Sequence, residues 1–415
     1  MASSLNPHQN PSPFPSKQDS SATPFWFQND SSQPWISKMN PTQLPIEILT
    51  DSRQLLDLSN SLSQQQRIAI DTESNSRHRY PERVCLVQLA TNTCVYLIDT
   101  LSVEDLTPLG NVLADPSITK VIHGADYDIR CLDREWKFQL RNLFDTTVAA
   151  RFAGIEKYGL SALIEELLGI QIPKDAHLQK SDWSERPLSR KALEYAATDV
   201  SYLFGIQGVL NKRLEILGRN TWVSEECARL EEIRYVIPDP ETAFLSLKGS
   251  AKLDSQQKAM LKQLFLLRES EAYIRNRPPY FVLPHEPLLY LAANPDTDLT
   301  QLPVFKGHTN TRFGKLLVKA LRNRVEAIPV QSQTHRKSRI MSKAVKTRLE
   351  KLKQWRSACG EQLSLEISLV WPRASLERLA SDPRSLSSEL ASPEVRQWQR
   401  EQLSKSLETT LANLD

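Results

Sequence analysis

Cysteine is scarce in this 415-residue chain: five thiols (Cys85, Cys94, Cys131, Cys227 and Cys359), with no C-x-x-C pair among them. Scattered and odd in number, they exclude a disulfide framework and a cysteine-based zinc site, and they fit a reducing compartment. No apolar run approaches the roughly 18 residues that a spanning helix needs. The sequence therefore predicts no membrane partner and a cytoplasmic location. Arginine is missing from the first 40 residues, which are rich in Ser, Pro, Gln and Asn and hold no apolar core. These features argue against an organellar transit peptide and a secretory signal, and residues 1–42 are expected to form a disordered tail. Excess charge is lacking too. Against 49 acidic residues stand 52 Lys and Arg, a net charge of +3, so a nucleic-acid surface would have to come from a local basic stretch.

What is present divides into parts. The length suggests two to four domains. Residues 43–235 read as an α/β domain, with apolar or β-branched runs at Ile46–Leu49, Ile68–Ile70, Val84–Leu89, Val95–Ile98 and Lys120–Ile122. Helical periodicity follows at Leu160–Leu168 and Arg190–Leu210. Closely spaced early strands predict an antiparallel meander, and the later alternation with helices predicts parallel additions to the same sheet. Ile237-Pro238-Asp239-Pro240 breaks the pattern within a linker, residues 236–250.

Beyond the linker the chain reads as helical, and it repeats itself. A shift of 88 positions without a gap superposes Leu261 on Leu349, Leu264 on Leu352, Arg268 on Arg356, Val282 on Val370 and Pro284 on Pro372. The match continues through Leu288/Leu376, Leu291/Leu379, Pro295/Pro383, Leu302/Leu390 and Arg312/Arg400. Apolar positions and turn prolines dominate, as expected of two small all-α domains (251–328 and 344–415) built on one packing plan. Between them, residues 329–343 form a basic linker with Arg336, Lys337, Arg339 and Lys343, and Lys346 follows. A solvated helix face is the usual fate of such a run. The near absence of acidic i,i+4 partners makes a phosphate-contacting surface an equal alternative.

Three short patterns carry chemistry. Asp71 and Glu73 follow Ile68–Ile70, and on a strand side chains two apart share a face. Two carboxylates on one face repel each other unless a cation lies between them, and hard oxygen donors suit Mg²⁺ or Mn²⁺. Next comes Val121-Ile122-His123-Gly124-Ala125-Asp126-Tyr127-Asp128, a strand running through a small-residue turn into a helix. Spacing alone does not choose between Asp126 and Asp128. Last, Tyr195 and Asp199 stand four apart in a helical segment and share a face. Taken singly, each has an ordinary structural reading: solvated acids, a hydrogen-bonded histidine, a core tyrosine.

Taken in order, the three resemble the DEDD exonuclease superfamily in its tyrosine-bearing branch. Asp71-Thr72-Glu73 matches the first motif; His123-Gly124-Ala125-x-x-Asp128 matches the second and selects Asp128; Tyr195-x-x-x-Asp199 matches the third. Phe144–Ala149, Gly159–Leu163, Ser181–Leu188 and Leu193–Val200 resemble the connecting motifs of the ribonuclease D family, and the two repeats resemble HRDC modules.

That resemblance implies a ribonuclease-H-like exonuclease domain with a mixed sheet, followed by two small helical HRDC-like domains. It implies a 3′→5′ exoribonuclease in which Asp71, Glu73, Asp128 and Asp199 hold two divalent metal ions. Asp71 would bridge the pair, Glu73 and Asp199 would serve one ion and Asp128 the other. Tyr195 would orient the attacking water, since a phenol with an ordinary pKa near 10 is a poor base. Thr72, His123 and Lys174 are candidate substrate contacts. The expected partner is RNA with a free 3′ end, transfer-RNA precursors foremost, and the expected state is a monomer. The segment Lys174–Trp183 is slightly longer than in bacterial members, and the end of the first repeat, Phe305–Asn310, is atypical.

Overall fold

Short apolar runs bounded by turn residues assemble one six-stranded sheet. Its strands are β1 (Ile46–Leu49), β2 (Arg67–Ser74), β3 (Val84–Ala90), β4 (Val95–Asp99), β5 (Thr119–Ile122) and β6 (Leu143–Asp145), in the order β1-β4-β3-β2-β5-β6. The computed structural model describes residues 44–173, 175, 177–305, 309–323 and 342–414. The expected N-terminal tail, Lys174, and Arg336, Lys337 and Arg339 of the basic linker lie outside the described residues.

Strands β2, β3 and β4 form the antiparallel meander, and β5 and β6 add to β2 in parallel. Strand β1 departs from the expected meander: it pairs in parallel with β4 at the far edge. The helix α1 (Ser52–Leu62) supplies the crossover that a parallel pairing needs. Every residue of β3 is buried, because helices cover both faces of the sheet.

The remaining helices of this part are α2 (Thr107–Ala114), α3 (Asp126–Trp136), α4 (Thr146–Phe152), α5 (Leu160–Leu168), α6 (Arg190–Ser201), α7 (Leu203–Leu217) and α8 (Asn220–Glu231). The stretch Arg190–Leu210, expected as one helical run, is broken at Tyr202, where α6 ends and α7 begins. The break lets α6 lie across β2, β3 and β4 while α7 packs on α4, α5 and β5. One straight helix could not do both.

The 88-residue repeat recurs in the elements themselves. Helices α9 (Ser255–Arg275), α10 (Pro279–Val282) and α11 (His285–Ala293) return as α13 (Lys343–Leu363), α14 (Ile367–Val370) and α15 (Arg373–Ser381), with the same lengths and offset. Even the left-handed C-caps correspond, Asn276 at φ 47° and Ser364 at φ 50°. The modules then diverge: the first closes with α12 (Arg312–Arg322), the second with α16 (Leu386–Ala391) and the longer α17 (Gln397–Ala412).

Their packing diverges as well. The first module has its own apolar core, which includes Phe244, a residue the sequence pattern had left in the linker. The second module shares one continuous core with the α/β part. Trp398 of α17 stacks on Trp222 of α8 with ring centroids 4.5 Å apart, and Phe152 meets both edge-on. The Arg219 guanidinium bridges the seam, donating to the carbonyls of Phe152 (2.7 Å) and Leu363 (2.5 Å). Ion pairs Arg151–Glu366 and Arg396–Glu226, each 2.6 Å, flank it.

Candidate active site

Strand β2 carries Asp71 and Glu73 past the end of its pairing with β5, which stops at Ala69. A bulge between Glu73 and Ser74 interrupts the register with β3, and bulges re-aim the neighbouring side chain. From β5 the chain passes through His123 and Gly124 into α3. Gly124 has φ +75°, a left-handed conformation open to glycine at little steric expense.

Asp145 fixes this turn. Its carboxylate accepts from the amides of Gly124 (3.1 Å) and Ala125 (2.8 Å) and also caps α4 through Thr147 N–H (2.7 Å). One buried side chain therefore ties together the starts of α3 and α4. The family-like stretch Phe144–Ala149 contains it, yet its role as a clamp was not evident from the sequence.

Asp128, in the first turn of α3, is buried and accepts a hydrogen bond from the Thr72 hydroxyl. Asp126 points elsewhere, forming an exposed i,i+4 ion pair with Arg130 at 2.9 Å. The geometry thus separates the two acids that spacing left equivalent. Helix α6, capped by the Ser189 hydroxyl on Ala192 N–H, brings Tyr195 and Asp199 over the sheet. The Tyr195 ring lies 6.1 Å from that of buried Trp183. Trp183 belongs to a segment fastened to the sheet by Arg186, which donates to Asp99 (2.7 Å) and to the carbonyl of Cys85 (2.9 Å).

Electrostatics link the four carboxylates. Burial raises the pKa of Asp71 well above the usual range, with the negative charges of Asp128, Asp199 and Glu73 adding to it. Glu73 is pushed up to about 9 by burial, then by Asp199 and Asp128. Burial lifts Asp128 to about 7 against the opposing Thr72 hydrogen bond, and lifts Asp199 to about 7. Tyr195 is also raised, by burial and by Asp199, Glu73 and Asp71. Such a repulsive cluster is what a cation would neutralise. Among the described residues no three Asp, Glu, His or Cys side chains already surround one point as a finished ligand set, and one Asp128 oxygen is engaged by Thr72. The fit to hard cations therefore rests on the all-carboxylate donor set and its mutual repulsion.

Of the candidate substrate contacts, Thr72 is buried with its hydroxyl given to Asp128. His123 is held at Nδ1 by the Thr146 hydroxyl, 2.9 Å away, and burial lowers its pKa. Lys343 and Lys346 are exposed in the first turn of α13. Further along that basic run the side chains are engaged: Arg348 on the Ala380 carbonyl, Lys353 on Glu350 and Arg356 on the Trp371 carbonyl. Gln88 was not anticipated. It lies directly across from Asp71 in the β2–β3 register, fully buried, with neither amide atom hydrogen-bonded among the described residues.

The 3′-5′ exonuclease family model matches residues 46–215, and the HRDC domain model matches residues 257–321. Ribonuclease D of Granulibacter bethesdensis is 36 % identical over 293 residues, 69 % of this chain and 73 % of the relative. The chain belongs to the ribonuclease D family. Ribonuclease D of Gluconacetobacter diazotrophicus is 32 % identical over 343 residues, covering 81 % of this chain and 86 % of the relative. The crystal structure of Escherichia coli RNase D, an exoribonuclease involved in structured RNA processing, matches with a TM-score of 0.65 at 25 % identity, covering 89 % of this chain and 99 % of that one. Membership of the ribonuclease D family makes the chain a 3′→5′ exoribonuclease, a hydrolase carrying a nucleic-acid-binding HRDC domain. Enzymes of this type are metal-dependent.

Proposed function

We propose that Asp71, Glu73, Asp128 and Asp199 hold two divalent cations, Mg²⁺ or Mn²⁺, and that with Tyr195 they remove nucleoside 5′-monophosphates from a free RNA 3′ end. The observation that carries this is a group of four carboxylates, Asp128 buried and Asp71, Glu73 and Asp199 half-buried, in which Asp71 and Glu73 are raised by their neighbours' charge. Bound cations supply activation of the attacking water and stabilisation of the leaving 3′-oxygen. The chain's own residues do the rest. Thr72 fixes one oxygen of Asp128, and Asp145 fixes the turn that presents it. Tyr195, with its pKa raised, stays protonated at neutral pH. It therefore donates a hydrogen bond and positions the water, and does not abstract its proton. His123 remains a neutral imidazole, suited to a polar contact with the terminal nucleotide.

Transfer-RNA precursors are the proposed substrates, with the helical modules and the exposed Lys343 and Lys346 holding the RNA body. The chain is taken to work as a monomer in the cytoplasm, in keeping with its five buried, unpaired thiols. Among the described residues no helix is long and apolar enough to cross a membrane. A gel time course on 5′-labelled, 3′-extended precursor tRNA and matched single-stranded DNA, with Mg²⁺, Mn²⁺ or EDTA, tests the proposal. Metal-dependent, nucleotide-by-nucleotide shortening of the RNA ahead of the DNA is expected. Preferential shortening of DNA would overturn the substrate, and full activity in EDTA would overturn the metal site.

A further inference from the structure

The loop joining β2 to β3 begins at the proposed catalytic carboxylates and ends against the first helical module. Tyr80 donates its hydroxyl to Glu269 (2.5 Å) and its amide to the Asn276 side chain (3.2 Å). His78 Nε2 is 2.6 Å from the Lys180 carbonyl, and Arg79 pairs with Asp182 at 2.8 Å. From the module side, the Tyr280 hydroxyl donates to the carbonyl of Arg77 at 3.0 Å. Arg77 is four residues beyond Glu73, which is at most about 14 Å of extended chain. At about 3.4 Å per stacked nucleotide, that is the length of at most about four nucleotides.

At this junction stands an exposed aromatic pair. Tyr280 and Phe281 are 49 % and 58 % exposed, and their ring centroids lie 4.5 Å apart. The next residue of α10, Val282, is the one turned into the module's core. Arg77 and Arg277 are exposed beside the pair in sequence or contact, and neither forms an ion pair among the described residues. Their neighbours Arg79 and Arg275 are paired, with Asp182 and Glu271. Exposed rings with Arg77 reached through its carbonyl and Arg277 three residues before Tyr280 suit a strand that offers flat bases and phosphates in alternation. Two arginines without an ion pair favour a polyanionic strand over an uncharged apolar patch.

We propose that Tyr280 and Phe281, with Arg77 and Arg277, form a stacking platform for unpaired nucleotides a few positions upstream of the RNA 3′ end. The platform takes its ligand from the exoribonuclease assignment above, but it makes a separate prediction about bases. Tyr280, through its hydroxyl on the Arg77 carbonyl, would hold the platform in fixed relation to the strand that carries Asp71 and Glu73.

The experiment uses the full chain in EDTA, so that no hydrolysis occurs, and a 12-nucleotide oligoadenylate RNA with a free 3′ end. A second oligonucleotide carries abasic riboses at the third to sixth positions from that end. Fluorescence anisotropy should show Tyr280→Ala/Phe281→Ala weakening the base-bearing RNA about tenfold or more, with little change for the abasic RNA and an unchanged salt slope. Arg77→Ala and Arg277→Ala should each flatten the dependence of log Kd on log salt by about one. Phe281→Trp should retain binding, which separates stacking from misfolding. Equal losses on both RNAs, or no loss on either, would overturn the platform. If the aromatic variants instead lost self-association of the chain, the face would be a protein interface and the proposal would be wrong. Mononucleotide release by the unaltered chain is scored separately in Mg²⁺, so failure of the exonuclease assignment leaves the binding result distinct.

Discussion

At the scale of single residues, the decisive fact is that the charges of Asp128 and Asp199 disfavour ionisation of Asp71 and Glu73. Asp71→Asn removes a member of the cluster, so turnover should fall roughly 10²–10³-fold or more. The metal-free protein should nevertheless melt no lower at pH 8, because one source of repulsion is gone. Kinetics paired with calorimetry check this, and a melting loss of many degrees would show that Asp71 is a structural residue instead.

The pH dependence has a definite sign. Acids whose pKa is raised on folding bind protons that the unfolded chain has lost, so their contribution to stability is present at low pH and disappears as pH rises. With Asp128 and Asp199 near 7 and Glu73 near 9, metal-free stability should decline between about pH 5 and 9. Cation binding at the proposed site would displace those protons, so the Mg²⁺ concentration for half-maximal thermal shift should fall over the same interval. A half-saturation value that is flat or rising with pH would contradict the four-carboxylate site. Gln88 adds a smaller test. Its buried amide has no partner among the described residues, and such an unpaired group costs about 1–3 kcal/mol. Gln88→Met should therefore leave stability unchanged or raised, and any loss of Mg²⁺ affinity in titration calorimetry would show the amide serving its cross-strand neighbour Asp71.

At the scale of elements, Asp145 is the most consequential joint. Asp145→Ala strips partners from the Gly124, Ala125 and Thr147 amides. Loss of a cap and of buried acceptors should destabilise the fold by about 2–4 kcal/mol. Activity should fall further than stability predicts, because the turn presenting Asp128 loosens; urea titration and initial rates measure the two separately. The sequence made some elements legible and hid others for physical reasons. Asp71 and Glu73 were readable because a strand's period of two is local. Asp126 and Asp128 share one helical turn, so spacing could not rank them, although Arg130 four residues after Asp126 was a usable sign of its i,i+4 ion pair. Strand β6 is three residues long and exists by pairing with β5 and packing under α8, which no local pattern encodes. The break at Tyr202 likewise answers to what α6 and α7 must cover.

At the scale of the whole molecule, the repeat misleads if taken as two equivalent modules. Periodicity reveals that a helix has an apolar face, not what will cover it. In the second module Trp398 is turned onto Trp222 and Phe152 of the nuclease part, making one core, whereas the first module keeps a core of its own. Truncating the chain before α13 would therefore uncover nuclease residues and would not simply remove an RNA-binding appendage. Cysteine placement allows a direct test. Cys85, Cys94, Cys131 and Cys227 lie in the nuclease part and Cys359 in α13, all buried, and none lies in the first module. Leu288→Ala, in the first module's core, should cost about 2–5 kcal/mol and lower one calorimetric transition without exposing a thiol. Trp398→Ala should cost about 3–5 kcal/mol and bring all five thiols to a labelling reagent together, at a lower temperature than in the unaltered chain. If Cys359 became reactive well before Cys227, the second module would be unfolding independently, and the shared core would not be the cooperative unit its packing implies.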